Sequence, residues 1–139
     1  MKVNALQEIS KYMIRNNILS LAVSKQIKPW LCTLYYGIDK DLNIYVITDP
    51  NSINGEVIEK NANIAINIFD SHQNITNTPK GIQETGTIEP VKGAIENSKA
   101  LVLWHKANPG VEKDITVEDI LTKISDSKVY NSIRENPGS

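Results

Sequence analysis

The sequence predicts a mainly β fold, a small antiparallel barrel with peripheral helices. Five short runs rich in β-branched and aromatic residues follow one another, separated by polar turns. Only one helical pattern interrupts these runs, directly after the third, and the other helical patterns stand before the first run and after the last. Because the chain lacks the regular strand–helix alternation of a parallel sheet, an antiparallel barrel is the fold that we expect.

Local patterns define the elements in chain order. A first helix is predicted at about residues 3–16, where Leu6, Ile9 and Met13 are spaced for one helical face. Gly86 indicates a bulge or a bend within the fifth predicted strand. The predicted strands are residues 18–24, 30–38, 44–48, 64–69 and 81–91.

The C-terminal third is predicted to be helical. A helix at residues 94–107 ends at Asn108-Pro109-Gly110, and a second one at residues 116–124 begins with a capping box. A short last strand is predicted at residues 128–133. We therefore expect a single domain over residues 1–139, with an N-terminal helix at about 3–16, a barrel at about 18–91 and C-terminal helices at about 94–124.

Composition excludes several classes of function. The net charge of −1 provides no field for nucleic acid, and the single cysteine allows neither an intrachain disulfide nor a cysteine-based zinc site. The N-terminus is too polar for a signal peptide, and no apolar run approaches the length of a membrane span. We expect a cytoplasmic protein without a nucleic-acid or membrane partner.

The stretch from Ile44 to Asn63 has the pattern of a strand that turns sharply into a helix. Asp49-Pro50-Asn51 ends the strand, and Ser52 is a good N-cap for the helix that follows. The free backbone N–H groups at such a helix start favour a phosphate or a carboxylate. The stretch is therefore either an anion-binding corner or an ordinary strand–turn–helix joint that binds nothing.

No constellation of catalytic side chains is visible. His72 and His105 are isolated in sequence, and Cys32 lies in an apolar strand without a basic neighbour, so we interpret all three as structural or surface residues. No metal site and no glycine-rich phosphate loop is predicted. An enzyme of this kind would need a cofactor to carry its chemistry.

Four segments together resemble the FMN-binding split-barrel family, the pyridoxamine 5′-phosphate oxidase-like proteins. The resemblance covers about residues 5–105 and is closest to small bacterial proteins that begin with a helix before the barrel. It implies an antiparallel split β-barrel. The segments are ILSLAVS, PWLCTLYYGIDKDLNIYVITDPNS, VIEKNANIAINI and GIQETGTIEPV.

The resemblance also implies a set of flavin-binding positions. Ile47 and Thr48 match the pair that runs beside the flavin ring toward the ribityl chain, and Ser52 matches the serine of the family's phosphate motif. Lys80 and Gln83 match a strand that approaches the flavin from across the sheet or the dimer interface. The strand that lines the isoalloxazine ring is matched by Cys32, Thr33, Leu34 and Tyr35.

Two departures from the family pattern bear on these implications. Ile53 and Asn54 stand where the family has a basic pair, so the corner offers a phosphate only backbone N–H groups, two hydroxyls and the Asn54 amide. The chain also lacks the strand pair with which relatives finish, so a closing strand is expected to be missing or replaced, which exposes a sheet edge.

The resemblance implies an FMN-binding oxidoreductase that acts on a small-molecule substrate as a homodimer, with the flavin at the dimer interface. Pyridoxamine phosphate oxidation itself is disfavoured, because the chain shows no basic cluster for a second phosphate-bearing ligand. One alternative is a non-enzymatic split-barrel dimer that has lost its cofactor. Another is a relative that uses deazaflavin F420 or haem.

Overall fold

The computed structural model describes residues 2–78, 80–110 and 120–131. None of the helices in these ranges is long and apolar enough to cross a membrane. In chain order the elements are α1 (Lys2–Arg15), β1 (Ile18–Lys25), β2 (Lys28–Ile38), β3 (Ile44–Thr48), α2 (Ile53–Lys60), β4 (Asn63–Ile68), β5 (Ile82–Pro90), α3 (Ala94–Ala107) and β6 (Ile120–Asn131).

The strands form a closed barrel in the order β1-β2-β3-β6-β5-β4, and every described pairing is antiparallel. Alternate residues of each strand point inward. Their side chains fill the barrel with an aliphatic core, in which Leu21, Ile44, Val46, Ile68 and Ile82 are fully buried. The predicted antiparallel barrel is confirmed, and the bulge expected near Gly86 is the register shift between Thr85 and Gly86 in the β5–β6 pairing.

Strand β6 corrects two expectations about the C-terminal third. Residues 120–124, predicted as the end of a helix, begin this strand, whereas residues 111–119 lie outside the described part of the chain. One edge of β6 pairs with β3 and the other with β5. Strand β6 closes the barrel, so the sheet edge expected to be exposed is paired, and this pairing on both edges outweighs the local helical pattern. The strand pair expected to be missing would follow residues 127–130 and lies outside the described part of the chain.

Helix α1 closes one end of the barrel. Ile9, Tyr12 and Met13 are buried, whereas Leu6, which the sequence placed on the same face, is 57% exposed. The Tyr12 hydroxyl accepts a hydrogen bond from Asp70 N at 2.9 Å and donates one to Lys80 O at 3.1 Å, at the end of β4 and before the start of β5. Tyr12 was the missed member of the buried face, and its phenol ties the helix to the barrel.

Helices α2 and α3 occupy other positions. Helix α2 follows β3 at the opposite end of the barrel, where Val57 is buried and Asn61 Nδ2 donates to Ser24 O at 3.1 Å. Helix α3 packs on β2 at Gly37, where an added Cβ would lie only 2.7 Å from the Leu103 carbonyl oxygen. Glycine at this position allows the close approach of the helix to the sheet.

Candidate functional site

The barrel is split where strands β2 and β3 diverge. Within the described residues, β2 pairs with β3 only from Tyr36 to Ile38. On its other edge, β2 pairs with β1 from Lys28 to Tyr35. The edge of β2 between residues 28 and 34 that faces β3 therefore has no strand partner there. Backbone N–H and C=O groups on such an edge need other partners, so this edge, here called the free edge, can bind a planar polar ligand.

The corner between β3 and α2 lies beside the free edge. Ser52 caps α2, because its Oγ accepts a hydrogen bond from Gly55 N at 3.1 Å. The same Oγ donates to Asp49 O at 2.6 Å. Gly55 is required here, since an added Cβ would lie on the Asp49 carbonyl oxygen. The Ser52 hydroxyl is thus committed within the corner, and in the first helical turn the amides of Ile53 and Asn54 are the donors that remain for a ligand.

The charges around the corner are mainly negative. Asp49 precedes the helix, Glu56 lies in the first turn and Lys60 only in the last. The side chains in place of the basic pair are a half-exposed isoleucine, Ile53, and the partly buried amide of Asn54. This chain therefore offers a phosphate at the corner only the helix N-terminus and neutral donors.

A second feature is an outer sheet surface without charged residues, here called the uncharged face. It spans β2, β1, β4 and β5. One row of cross-strand neighbours is polar and the next is apolar or small. The face consists of Thr33, Ser20, Asn67 and Gln83 in the first row and of Leu31, Ala22, Ala65 and Thr85 in the second.

The four predicted ring-lining residues of β2 divide between the two faces of the strand. Cys32 and Leu34 pack against the core, whereas Thr33 and Tyr35 point outward and Tyr35 is 55% exposed. Burial raises the pKa of the Cys32 thiol, so this cysteine stays protonated and unreactive. Only the backbone of Cys32 and Leu34 can meet a ligand at the free edge. The neighbouring Tyr36 points inward and is 1% exposed.

The predicted residues of β3 also alternate. Thr48 is buried and lines a cavity of about 380 Å³ between α2 and the ends of β5 and β6, with Glu59 and Glu89 beside it. Ile47 points to the outer side and is half-buried. Of this pair, Ile47 is the side chain that faces the same side of the sheet as Thr33.

Lys80 and Gln83 lie far from the corner within one chain. The end of β3 at Thr48 is next to the start of β6, and this part of β6 pairs with the end of β5 at Pro90. Lys80 precedes the start of β5 and therefore lies at the other end of the barrel. Gln83 is on the uncharged face, in the same row as Thr33 but separated from it by β1 and β4.

The β1 and β4 members of the uncharged face were not among the predicted site residues. Their signal was present in the alternation of IAINIF, which places Ala65 and Asn67 opposite the buried isoleucines. Small and uncharged residues at consecutive outward positions are unusual for a solvated strand, and this is the signal that could have identified the face.

Histidine and cysteine do not supplement the site. His72 lies in the loop after β4 with its ring close to Asp70, at the α1 end of the barrel. His105 is in α3, where its ring packs edge-on against Trp104. The described residues contain no cluster of His, Cys, Asp or Glu side chains that could hold a metal ion. The chemistry available at the free edge and the corner is therefore hydrogen bonding and shape.

Comparison of the whole chain with known proteins identifies its fold. No protein-family model matches the sequence, and no curated protein matches it either. Solved structures, in contrast, match over most of the chain. A haem storage protein from Vibrio cholerae, HutZ, superimposes with a TM-score of 0.77 at 11% identity, over 90% of this chain and 92% of that one.

Two further neighbours are associated with flavins or with the oxidase named above. A FAD-binding protein from Mesorhizobium loti has a TM-score of 0.71 and 17% identity, over 88% of this chain and 90% of that one. A candidate pyridoxamine 5′-phosphate oxidase from Listeria innocua has a TM-score of 0.70 and 10% identity, over 90% of this chain and 95% of that one. At such identities the likeness shows a shared split-barrel fold.

Proposed function

We propose that this chain binds FMN at the free edge of β2 as a homodimer and serves as a flavin-dependent oxidoreductase on a small-molecule substrate. The observation that carries the proposal is the unpaired edge of β2 beside the Ser52-capped start of α2. The flavin ring carries alternating N–H and C=O groups along its pyrimidine side, which complement the groups of an open strand. Two of the structural neighbours are associated with flavin binding or with the FMN-type oxidase, which supports this choice of ligand.

Each part of the site would have its own task. The backbone of residues 32–35 would hold the ring, and Thr33 and Ile47 would flank it on the outer side. The amides at the start of α2 and the Asn54 side chain would bind the phosphate. The flavin would supply hydride or electron transfer when bound, and the protein would orient it and exclude water.

A second copy of the chain supplies what the corner lacks. The uncharged face is suited to a symmetric contact, since Leu31 and Tyr35 are 66% and 55% exposed on it or beside it. Within its own chain, Lys80 lies at the end of the barrel opposite the corner. In such a dimer, the corner of one chain would therefore be contacted by Lys80 of the other chain. We expect this lysine to provide the positive charge that Ile53 and Asn54 do not.

Titration with FMN and riboflavin tests the proposal. We expect both flavins to bind with quenched fluorescence and a raised melting temperature, and FMN to bind about 10-fold more tightly because of its charge-assisted contact. Lys80→Gln should remove that difference, and Lys60→Gln serves as the matched control. A monomer in sedimentation at the titrated concentration contradicts the dimer, and absence of any response to either flavin overturns the proposal.

The acidic surroundings of the corner favour one second candidate, a split-barrel dimer that does not use flavin. Ile53→Arg combined with Asn54→Lys separates the two. If FMN binds only to this double variant, the natural protein is the cofactor-free dimer. Haemin belongs in the same titration, because two neighbours are a haem storage protein and a haem-binding protein.

A further inference from the structure

The split between β2 and β3 starts at a definite position in their register. In the described part of the chain, the pair next to the split is Tyr36 with Val46. Continued by one residue, the antiparallel register would pair Tyr35 with Ile47. Among the described pairs of these two strands this one is absent, so the hydrogen-bonded ladder stops between Tyr36 and Tyr35.

The backbone carbonyl of Tyr35 faces the split. The Tyr36 amide donates to Asn17 O at 3.0 Å, and Asn17 directly precedes β1, so the amide of Tyr36 points to the β1 side. The preceding residue of an extended strand directs its N–H and C=O to the opposite side, which here is the side of β3. In a continued ladder, the Ile47 amide would therefore donate to the Tyr35 carbonyl.

An indole takes the place of the Ile47 amide. Trp104 Nε1 donates to Tyr35 O at 3.3 Å, although the two residues are 69 positions apart in sequence. Trp104 is 7% exposed, so its ring is embedded between the helix and the sheet. The carbonyl that β3 would bind is thus bound by a side chain of α3. Because a carbonyl with such a donor no longer needs a strand partner, the ladder can end at Tyr36.

Backbone contacts hold α3 where its indole reaches Tyr35. Gly37 faces the outer side of the sheet, because its neighbour Tyr36 points into the core. A Cβ at Gly37 would lie 2.8 Å from Trp104 Cα, so the helix lies directly on the strand. At the end of the helix, Asn108 Nδ2 donates to Tyr36 O at 3.1 Å and to Trp104 O at 2.9 Å. The indole therefore has a fixed place beside the split.

We propose that Trp104 is the wedge that separates β2 from β3 and so opens the flavin site. Its indole N–H replaces the Ile47 amide as the donor to the Tyr35 carbonyl, and its ring keeps the two strands from pairing one step further. Trp104 acts through Tyr35 and is a positioning residue. The link to flavin rests on the proposed function, whereas the separation of the strands stands without it.

Amide hydrogen exchange of Trp104→Phe tests the wedge without any ligand. Phenylalanine keeps an aromatic ring on α3 but lacks the indole N–H donor. We expect β2 and β3 to pair one step further in this variant. The Ile47 amide should then exchange about 10-fold more slowly than in the wild type, which corresponds to about one net hydrogen bond. Loss of packing alone would speed exchange, so unchanged or faster exchange at Ile47 overturns the proposal.

Ala100→Gly is the matched control for a weakened α3. Ala100 is buried in this helix, and glycine lowers helix stability while the indole stays in place. This variant should lower the melting temperature without slowing exchange at Ile47. Slower exchange at Ile47 in Ala100→Gly as well would overturn the proposal, because the effect would then not depend on the indole.

The wild type provides a second measurement that needs no folded variant. The indole N–H of Trp104 should exchange about 10-fold more slowly than that of Trp30, because it is hydrogen-bonded and buried whereas Trp30 is 42% exposed. Equal exchange rates of the two indoles would mean that the bond to Tyr35 is absent in solution, which overturns the proposal.

Riboflavin titration of the same variants connects the wedge with the site. Trp104→Phe should bind riboflavin about 10-fold more weakly, since the ring must compete with an additional strand pair, and Ala100→Gly should bind it as the wild type does. Equal affinity in the wild type and Trp104→Phe overturns the assignment of Trp104 to the flavin site. If the wild type binds no flavin but exchange at Ile47 slows in Trp104→Phe, the wedge is confirmed and the proposed function fails.

Discussion

The two ends of the barrel are closed by helices in different ways. At the α1 end, side chains reach across the fold: the Tyr12 phenol joins α1 to the loop after β4 and to Lys80, 68 residues away in sequence. At the α2 end, the bonds of Ser52 stay within three residues of it. The start of α2 is thus held by a local turn, and at this end a long-range bond, from Asn61 Nδ2 to Ser24 O, holds only the end of the helix.

This difference separates stability from binding. The α1 end buries Ile9, Tyr12 and Met13 and so closes the core. The α2 end stands beside a strand edge without a strand partner and a helix start with open amides. Open hydrogen-bonding groups destabilise a fold slightly, and the flavin site that we propose lies among them.

The largest predicted effect tests the packing of α1 against the barrel core. Met13→Ala should lower the free energy of unfolding by about 2–5 kcal/mol, because Met13 is 3% exposed in the core. Leu6→Ala on the same helix should change it by less than about 0.5 kcal/mol, since Leu6 is 57% exposed. Urea unfolding of both variants measures the two changes in free energy. Equal losses would show that α1 presents a different face to the barrel.

The same pair of residues shows what the sequence could predict about α1. Apolar spacing predicted the helix and the burial of Ile9 and Met13. It chose Leu6 over Tyr12, because a hydrophobicity pattern cannot show that a phenol will find two backbone partners from distant loops. Those partners exist only once β4 and β5 are in place.

Strand β6 shows the same limit on a larger scale. Its first residues, Ile120 to Ile124, have a spacing that suits either a helix face or a strand, and the preceding capping box favoured the helix. The barrel makes this segment a strand, because β3 and β5 each present an edge that only another strand can pair. The strands with clear alternation, such as β4, were predicted within one residue at each end.

The strand–turn–helix corner was predicted from the sequence, but the free edge beside it was not. The strand–turn–helix pattern identified the Ser52 cap, which is a local feature. The separation of β2 from β3 depends on how many residues pair between them, and no local pattern carries that number. The distance of Lys80 from the corner also depends on how the strands pair, so local sequence patterns could not predict it.

The second prediction concerns the α2 end and is smaller. Ser52→Ala should lower the free energy of unfolding by about 1 kcal/mol through loss of the cap. Ser52→Asp should lower it less, because aspartate accepts the bond from Gly55 N but cannot donate to Asp49 O. The two variants should behave in the opposite order with FMN, since an added carboxylate repels the phosphate. Riboflavin affinity, which involves no phosphate, is the control. If Ser52→Asp binds FMN as well as the wild type does, the corner does not hold the phosphate.

The smallest effect concerns the turn after β2, at the α1 end. Burial, followed by the hydrogen bond to Asp39 and the negative charges nearby, raises the pKa of Tyr45 from 10.0 to about 12. The folded state therefore holds the phenol proton more tightly than the unfolded chain does. The resulting stabilisation is complete below pH 10 and is lost as the pH rises through about 12.

Tyrosinate absorbance measures this directly. Subtracting the titration of Tyr45→Phe from that of the wild type should leave a single step near pH 12, provided that circular dichroism shows both proteins folded at each pH. A difference step near pH 10 would mean that neither the burial of the Tyr45 phenol nor its hydrogen bond to Asp39 persists in solution. The turn would then be as open as the corner, and the contrast between a closed α1 end and an open α2 end would rest on the buried core of α1 alone.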